Sequence, residues 1–210
     1  MIRGVYLQKR KLRYYLFDSE NLLELWRRSC YMQRYIALLR GINISGKNKI
    51  AMSELKEMFI SLGFADVVTY LNSGNVIFSS VVDDKSILSD KIKSMIKDRF
   101  DLDIPVFIIL QDELKEVLDN APDWWGDDNK EIYDNLIFIM PPLSCEEVCD
   151  EIGEPKAEYE KVHSYKEVIF WSFVRKDYKK TNWWSRTASS DVSDKITIRT
   201  ANTVRKIVNK

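Results

Sequence analysis

The chain has 210 residues, with 32 Lys/Arg balanced by 32 Asp/Glu and a single His. That length suits one compact domain or two small ones with an ample core. No apolar run approaches the roughly 20 residues that span a bilayer, and the opening residues lack the uninterrupted apolar segment of a secretory signal. The expected location is therefore the cytoplasm, with no membrane partner.

The three cysteines, Cys30, Cys145 and Cys149, are odd in number and the last two lie four apart. Free thiols in a reducing compartment fit that pattern better than a disulfide framework. Charge is unevenly spread: residues 1–31 carry +4 and the remainder −4. An acidic body is a poor generic nucleic-acid binder, so any phosphate contact must be local, and nucleic acid ranks below a small anionic ligand as a partner.

Residues 1–31 read as an N-terminal extension, with a basic patch and then a short amphipathic helix over Ser19–Arg28. Met32 directly precedes the first convincing strand, which makes translation from upstream of a true start one reading of this segment. From there the pattern is regular: a strand at 34–40, a helix at 52–62 closed by Gly63, a strand at 66–71, a turn at Leu71–Asn75, a strand at 76–80, a helix at 85–100 and a strand at 104–110. This βαββαβ order is the split β-α-β unit of ferredoxin-like folds.

After a helix at 112–120 and a Pro/Gly/Asp-rich loop, the order repeats: a strand at 134–140, a helix at 144–151, strands at 157–162 and 165–173 around a His163-Ser164 turn, a helix at about 175–184, a strand at 195–199 and a final helix at 201–209. The expected class is α+β, two ferredoxin-like units in tandem at 32–110 and 134–210 joined by a linker at 111–133.

The first strand and the second run toward the same end of such a sheet. The Gly41–Lys49 loop and the Asn72–Asn75 hairpin are therefore expected to face each other. Gly41 and Gly46 permit φ > 0, and the loop feeds a helix whose free N–H groups favour an anion. Arg40, Lys47 and Lys49 add charge and Asn43 and Asn48 add donors, while Tyr70, Asn72, Ser73, Gly74 and Asn75 across the edge suit recognition of a polar remainder. A phosphate- or carboxylate-bearing small molecule fits this set. Gly41-x4-Gly46-Lys47 has the spacing of a Walker loop, but Asn48 replaces its metal-binding hydroxyl. The plainer reading of Gly74 is a tight hairpin whose Asn and Ser neighbours satisfy the turn backbone.

Arg199 and Asn202, where the last strand passes into the last helix behind an N-cap at Thr200, are candidates for a second anchor. The alternatives to small-ligand binding are an enzyme at the same site with Lys47 or Tyr70 as acid/base, single-stranded nucleic-acid binding through the basic segment around Trp183 and Trp184, and a protein-interaction module using an open sheet face. The lone His163 argues against a histidine-based triad or zinc site, and the run Asp123, Asp127, Asp128, Glu131 reads as solvated charge before it reads as a magnesium site. No cofactor is named by these residues.

At Ala37–Asn43, Gly46–Ile50, Thr69–Asn75 and Thr197–Thr203 the chain resembles the bacterial domain-of-unknown-function family 1697, over about Met32 to Lys210. The Pro122–Gly126 segment looks like one branch of that family. Its members usually carry Arg-Asn in the closing motif where this chain has Arg199-Thr200, which puts an amide role there in doubt. The resemblance implies paired ferredoxin-like units and no established activity.

Overall fold

The computed structural model describes residues 32–127 and 129–210; the extension at 1–31, with Cys30 and its expected helix, and Asp128 lie outside them. Two four-stranded antiparallel sheets carry the chain in α+β fashion. The first uses β1 (Gln33–Leu39), β2 (Ala65–Tyr70), β3 (Asn75–Ser80) and β4 (Val106–Leu110) in the order β2-β3-β1-β4. The second uses β5 (Ile132–Ile139), β6 (Glu160–Tyr165), β7 (Val168–Val174) and β8 (Ile196–Thr200) in the equivalent order β6-β7-β5-β8.

Six α-helices and one 3-10 helix accompany these strands among the described residues. In chain order they are α1 (Met52–Ser61), α2 (Lys85–Phe100), α3 (Gln111–Asp119), α4 (Cys145–Ile152), the 3-10 helix (Arg175–Lys180), α5 (Asn182–Ser189) and α6 (Ala201–Ile207). Their ends follow local chemistry. Asp84 caps α2 by accepting from Ser86 N at 2.8 Å and Ile87 N at 3.1 Å, and Asp101 closes it in the left-handed region at φ 53°. Ser144 and Glu147 form a reciprocal capping box on α4.

The central strands β1 and β5 are apolar on both faces because both faces are covered. Tyr35, Ala37 and Leu39 point to a layer with α1 and α2, whereas Ile36 and Leu38 point the other way. Likewise Ile137 and Ile139 face α4 and α5, and Leu136 and Phe138 face the first sheet. The faces opposite the paired helices therefore pack on each other through Phe107 and Phe138, ring centroids 5.3 Å apart, with α3 and α6 in the same layer. A docking surface on an open sheet face is not what this arrangement offers, since those faces form a shared interior.

Two expectations are corrected. His163 and Ser164 lie within β6, and the chain turns instead at Lys166-Glu167, with Lys166 at φ 51°. The single helix expected at 175–184 is broken at Thr181, whose hydroxyl accepts from Trp184 N at 3.3 Å and so starts a new helix.

Candidate functional site

The Gly41–Lys49 segment folds into a miniature hairpin. Lys47 N donates to Ile44 O at 2.9 Å and Asn43 N to Asn48 O at 3.1 Å, with Ser45 at φ 50° and Gly46 at φ 78° between them. Positive φ at both central positions is the sign pattern of a type I′ turn. The amides also serve the fold: Asn48 Nδ2 donates to Gly41 O at 3.0 Å, and Asn43 both donates to Ile50 O and accepts from Ile50 N, each at 2.9 Å.

This hairpin meets the Leu71–Gly74 turn. Leu39 N donates to Gly74 O at 2.8 Å and Asn43 Nδ2 to Asn72 O at 2.9 Å. Gly74 is needed there for space as well as for its φ of 76°, because a Cβ would lie 2.7 Å from Leu39 Cβ and 2.9 Å from Ile42 Cδ1.

The contact divides the expected residues between two sides. On one side, Asn43, Gly46, Lys49 and Asn72 rim a basin of about 470 Å³ whose floor is Ile50, Ala51 and Met52. That floor is the start of α1, and Ala51 supplies no side-chain cap. On the other side, Arg40, Gly41, Lys47 and Asn48 face β8 and the Thr187–Ser193 segment across a groove of about 530 Å³. Arg40 is anchored there, its Nε donating to Ile196 O at 2.9 Å and an Nη to Ser193 O. Lys47 and Lys49 are both exposed and lie on different sides of the hairpin.

Arg199 is interior. Its guanidinium donates to Asn75 Oδ1 at 2.6 Å, Leu39 O at 2.8 Å and Ser73 O at 2.9 Å, and on its own strand to Thr197 Oγ1 at 2.8 Å and Ile198 O at 2.9 Å. Burial pushes it down to about 10, which leaves it charged at neutral pH. Asn75, fully buried, completes the node by donating to Tyr70 O at 2.9 Å and Ser73 Oγ at 3.0 Å. Tyr70 itself packs into the layer between the sheets, with Lys210 Nζ 5.2 Å from its ring centre. Asn202 sits elsewhere, exposed on a different cavity beside Gly126, and Thr200 caps α6 by accepting from Thr203 N at 3.3 Å.

Trp183 is 1% exposed, so it cannot stack on a base, and only Trp184 of that pair reaches the surface. Cys145 donates to Lys166 O at 3.0 Å, and burial, helped by the nearby Cys149, pushes its thiol up to about 11. It stays protonated at neutral pH. Among the described residues no three His, Cys, Asp or Glu gather as a metal site, and no helix is long and apolar enough to cross a membrane.

Two buried carboxylates escaped the sequence reading. Glu160 accepts from Lys156 N, Asn182 N, Trp183 N and Trp171 Nε1 and so caps α5 from a neighbouring strand. Asp134 accepts from Ser172 Oγ, and its carboxyl is raised above the usual carboxylate range, chiefly by burial. An acid inside a strand run, as each of these is, was the available signal.

Residues 32–170 match the family described as "Protein of unknown function (DUF1697)". The chain is similar to a solved structure titled as the conserved bacterial protein SP0830 from Streptococcus pneumoniae, with 31% identity, a TM-score of 0.75, and coverage of 85% of this chain and 98% of that one. No curated protein matches. With residues 32–170, well over half of the chain, spanned by the family match, the chain belongs to the DUF1697 family of proteins of unknown function.

Proposed function

We propose that this protein binds a small phosphate- or carboxylate-bearing ligand at the junction of the Gly41–Lys49 hairpin and the Asn72–Asn75 turn, in the basin at the start of α1. The carrying observation is that α1 begins without a side-chain cap at that basin, which Lys49 and Asn72 also line. First-turn amides of a helix lack intrahelical acceptors and favour negative charge by about 0.3–1 kcal/mol, to which a lysine adds a full charge. In this reading Arg199 ties the turn to the end of β1 and Arg40 anchors the base of the hairpin to Ser193 and β8, and neither touches the ligand. The two sheets with their helices are ferredoxin-like units in tandem, 32–110 and 134–210, joined through 111–133, so the basin belongs to the first unit. A reaction at the same place is the enzymatic variant of this reading.

Thermal denaturation in the presence of inorganic phosphate, pyrophosphate, sugar phosphates and nucleotides tests it. A ligand at about a hundredfold excess over its Kd adds about 2.7 kcal/mol of stability. Lys49→Ala and Asn72→Ala should remove that gain, and Lys47→Ala, across the hairpin, should keep it. A panel without any response, or a response that survives Lys49→Ala, overturns the reading.

A further inference from the structure

The cavity beside Gly126, about 490 Å³, stands apart from the basin, and its wall includes Asp127, Lys130, Tyr133, Asp134, Arg175 and Asn202. Its volume falls within the range of small-molecule sites. Asp134 is 9% exposed, and buried carboxylates are ordinarily paired with a cation or saturated with donors. Here Ser172 Oγ donates to Oδ1 and the Gly126 backbone N–H supplies a second donor, and among the described residues no Lys, Arg or His nitrogen comes within 4.0 Å of the carboxylate. Arg205 acts on the carboxylate only from beyond contact distance: its guanidinium packs against Gly126 and lies 5.9 Å from the Trp125 ring centre.

The rim differs from the floor. Arg175 lies 4.6 Å over the Tyr133 ring and is fixed by donating from Nε to Ile132 O at 3.1 Å, giving a flat cationic wall. Lys130 is exposed beside it. We propose that this cavity is a second ligand site, taking a small molecule that presents a pair of N–H donors to Asp134 and an anionic group to Lys130 and Arg175. Two sources share that chemistry: a guanidinium-bearing amino acid, and a guanine nucleotide, whose ring N–H and amino group form the donor pair.

Isothermal titration of the Lys49→Ala chain, in which the basin is disabled, with GMP, L-arginine and, as a control without the donor pair, AMP tests the site. GMP or arginine should bind and AMP should not, with Asp134→Asn, added to Lys49→Ala, weakening the active ligand at least tenfold. Binding of GMP alone assigns the nucleotide, and binding of arginine alone assigns the amino acid. Should Asp134→Asn fail to fold, the rim variant Lys130→Glu carries the test, since it touches no interior contact and should weaken the same ligand severalfold. No heat from either ligand at millimolar concentration, equal binding of AMP, or affinity untouched by Asp134→Asn or by Lys130→Glu overturns the proposal, and none of these outcomes bears on the basin at Lys49.

Discussion

The two sides of the Leu71–Asn75 turn are built from the same kinds of residue and do opposite things. On the inner side the Ser73 carbonyl and the Asn75 amide are saturated by Arg199, and Gly74 is pressed against Leu39 and Ile42. On the outer side Asn72 and Lys49 stand exposed over the first turn of α1. Asn, Ser and Gly serve as turn backbone partners as readily as ligand donors, so residue type alone does not assign the role. What assigns it is the second sheet, which brings a guanidinium to one side of the turn and leaves the other to solvent.

The largest test of this contrast is Arg199→Ala. It leaves Leu39 O and Asn75 Oδ1 buried, and Ser73 O half-buried, without their donor, and each fully buried group costs about 1–3 kcal/mol. A loss of about 3–5 kcal/mol in urea unfolding is expected. Arg199→Lys should recover little of it, because a single ammonium cannot reproduce the fork. A loss under about 1 kcal/mol would remove the distinction between the two sides.

Gly74→Ala and Gly46→Ala sharpen it next. Both residues have positive φ, but a Cβ at Gly74 meets Leu39 and Ile42 whereas one at Gly46 has nothing within 4 Å. The backbone cost of about 1–2 kcal/mol is common to both, and the steric excess at Gly74, about 1–3 kcal/mol, measures how tightly the inner side is packed.

Asp134 provides a pH-dependent comparison between the two cavities. Its carboxyl is raised by burial, so the folded state holds the proton more firmly than the unfolded chain. Its contribution to stability is complete below the unfolded value and is lost as pH climbs through the folded one. The Tm of the parent minus that of Asp134→Asn should therefore fall across that window, whereas parent minus Lys49→Ala should stay flat. A flat Asp134→Asn difference would mean that the carboxyl is not desolvated. The smallest effect is on Lys49→Ala itself, within about 0.5 kcal/mol in the absence of ligand, as for other exposed substitutions.

Much of the architecture is legible in local pattern because it is made by local pattern. The helix read at 85–100 coincides with α2, where Asp84 caps and Asp101 closes, and the apolar runs at 34–40 and 134–140 fall on the two central strands. The β6–β7 turn was misplaced because Lys166 takes the left-handed conformation without a Gly, Asn or Asp to announce it, while His163-Ser164 looks more turn-like. The break at Thr181 rests on one hydroxyl and on Glu160, which accepts from Asn182 N 22 residues further on.

The candidate site was less legible. Loop and turn come together as the strand directions require, but which amides remain available is decided by contacts such as Arg199 to Asn75, 124 residues apart. The miniature hairpin needed Ser45 at positive φ, a choice that the serine does not advertise. Asp134 reads in sequence as one more acid near a charged loop, and only its pairing with Ser172 across β5 and β7 makes it interior.

The shared layer has a consequence for how the chain comes into being. Ile36, Leu38, Ile77, Phe107 and Ile109 are covered by side chains from the second sheet and by α6, with Ile207 at its end and Val208 just beyond it both buried. A nascent chain emerging from the ribosome must carry that greasy surface bare until the second sheet and α6 have followed it out. Neither half is a portable cassette: a fragment ending after Asp119 should self-associate, and mixing it with the separately made remainder should restore a single soluble species.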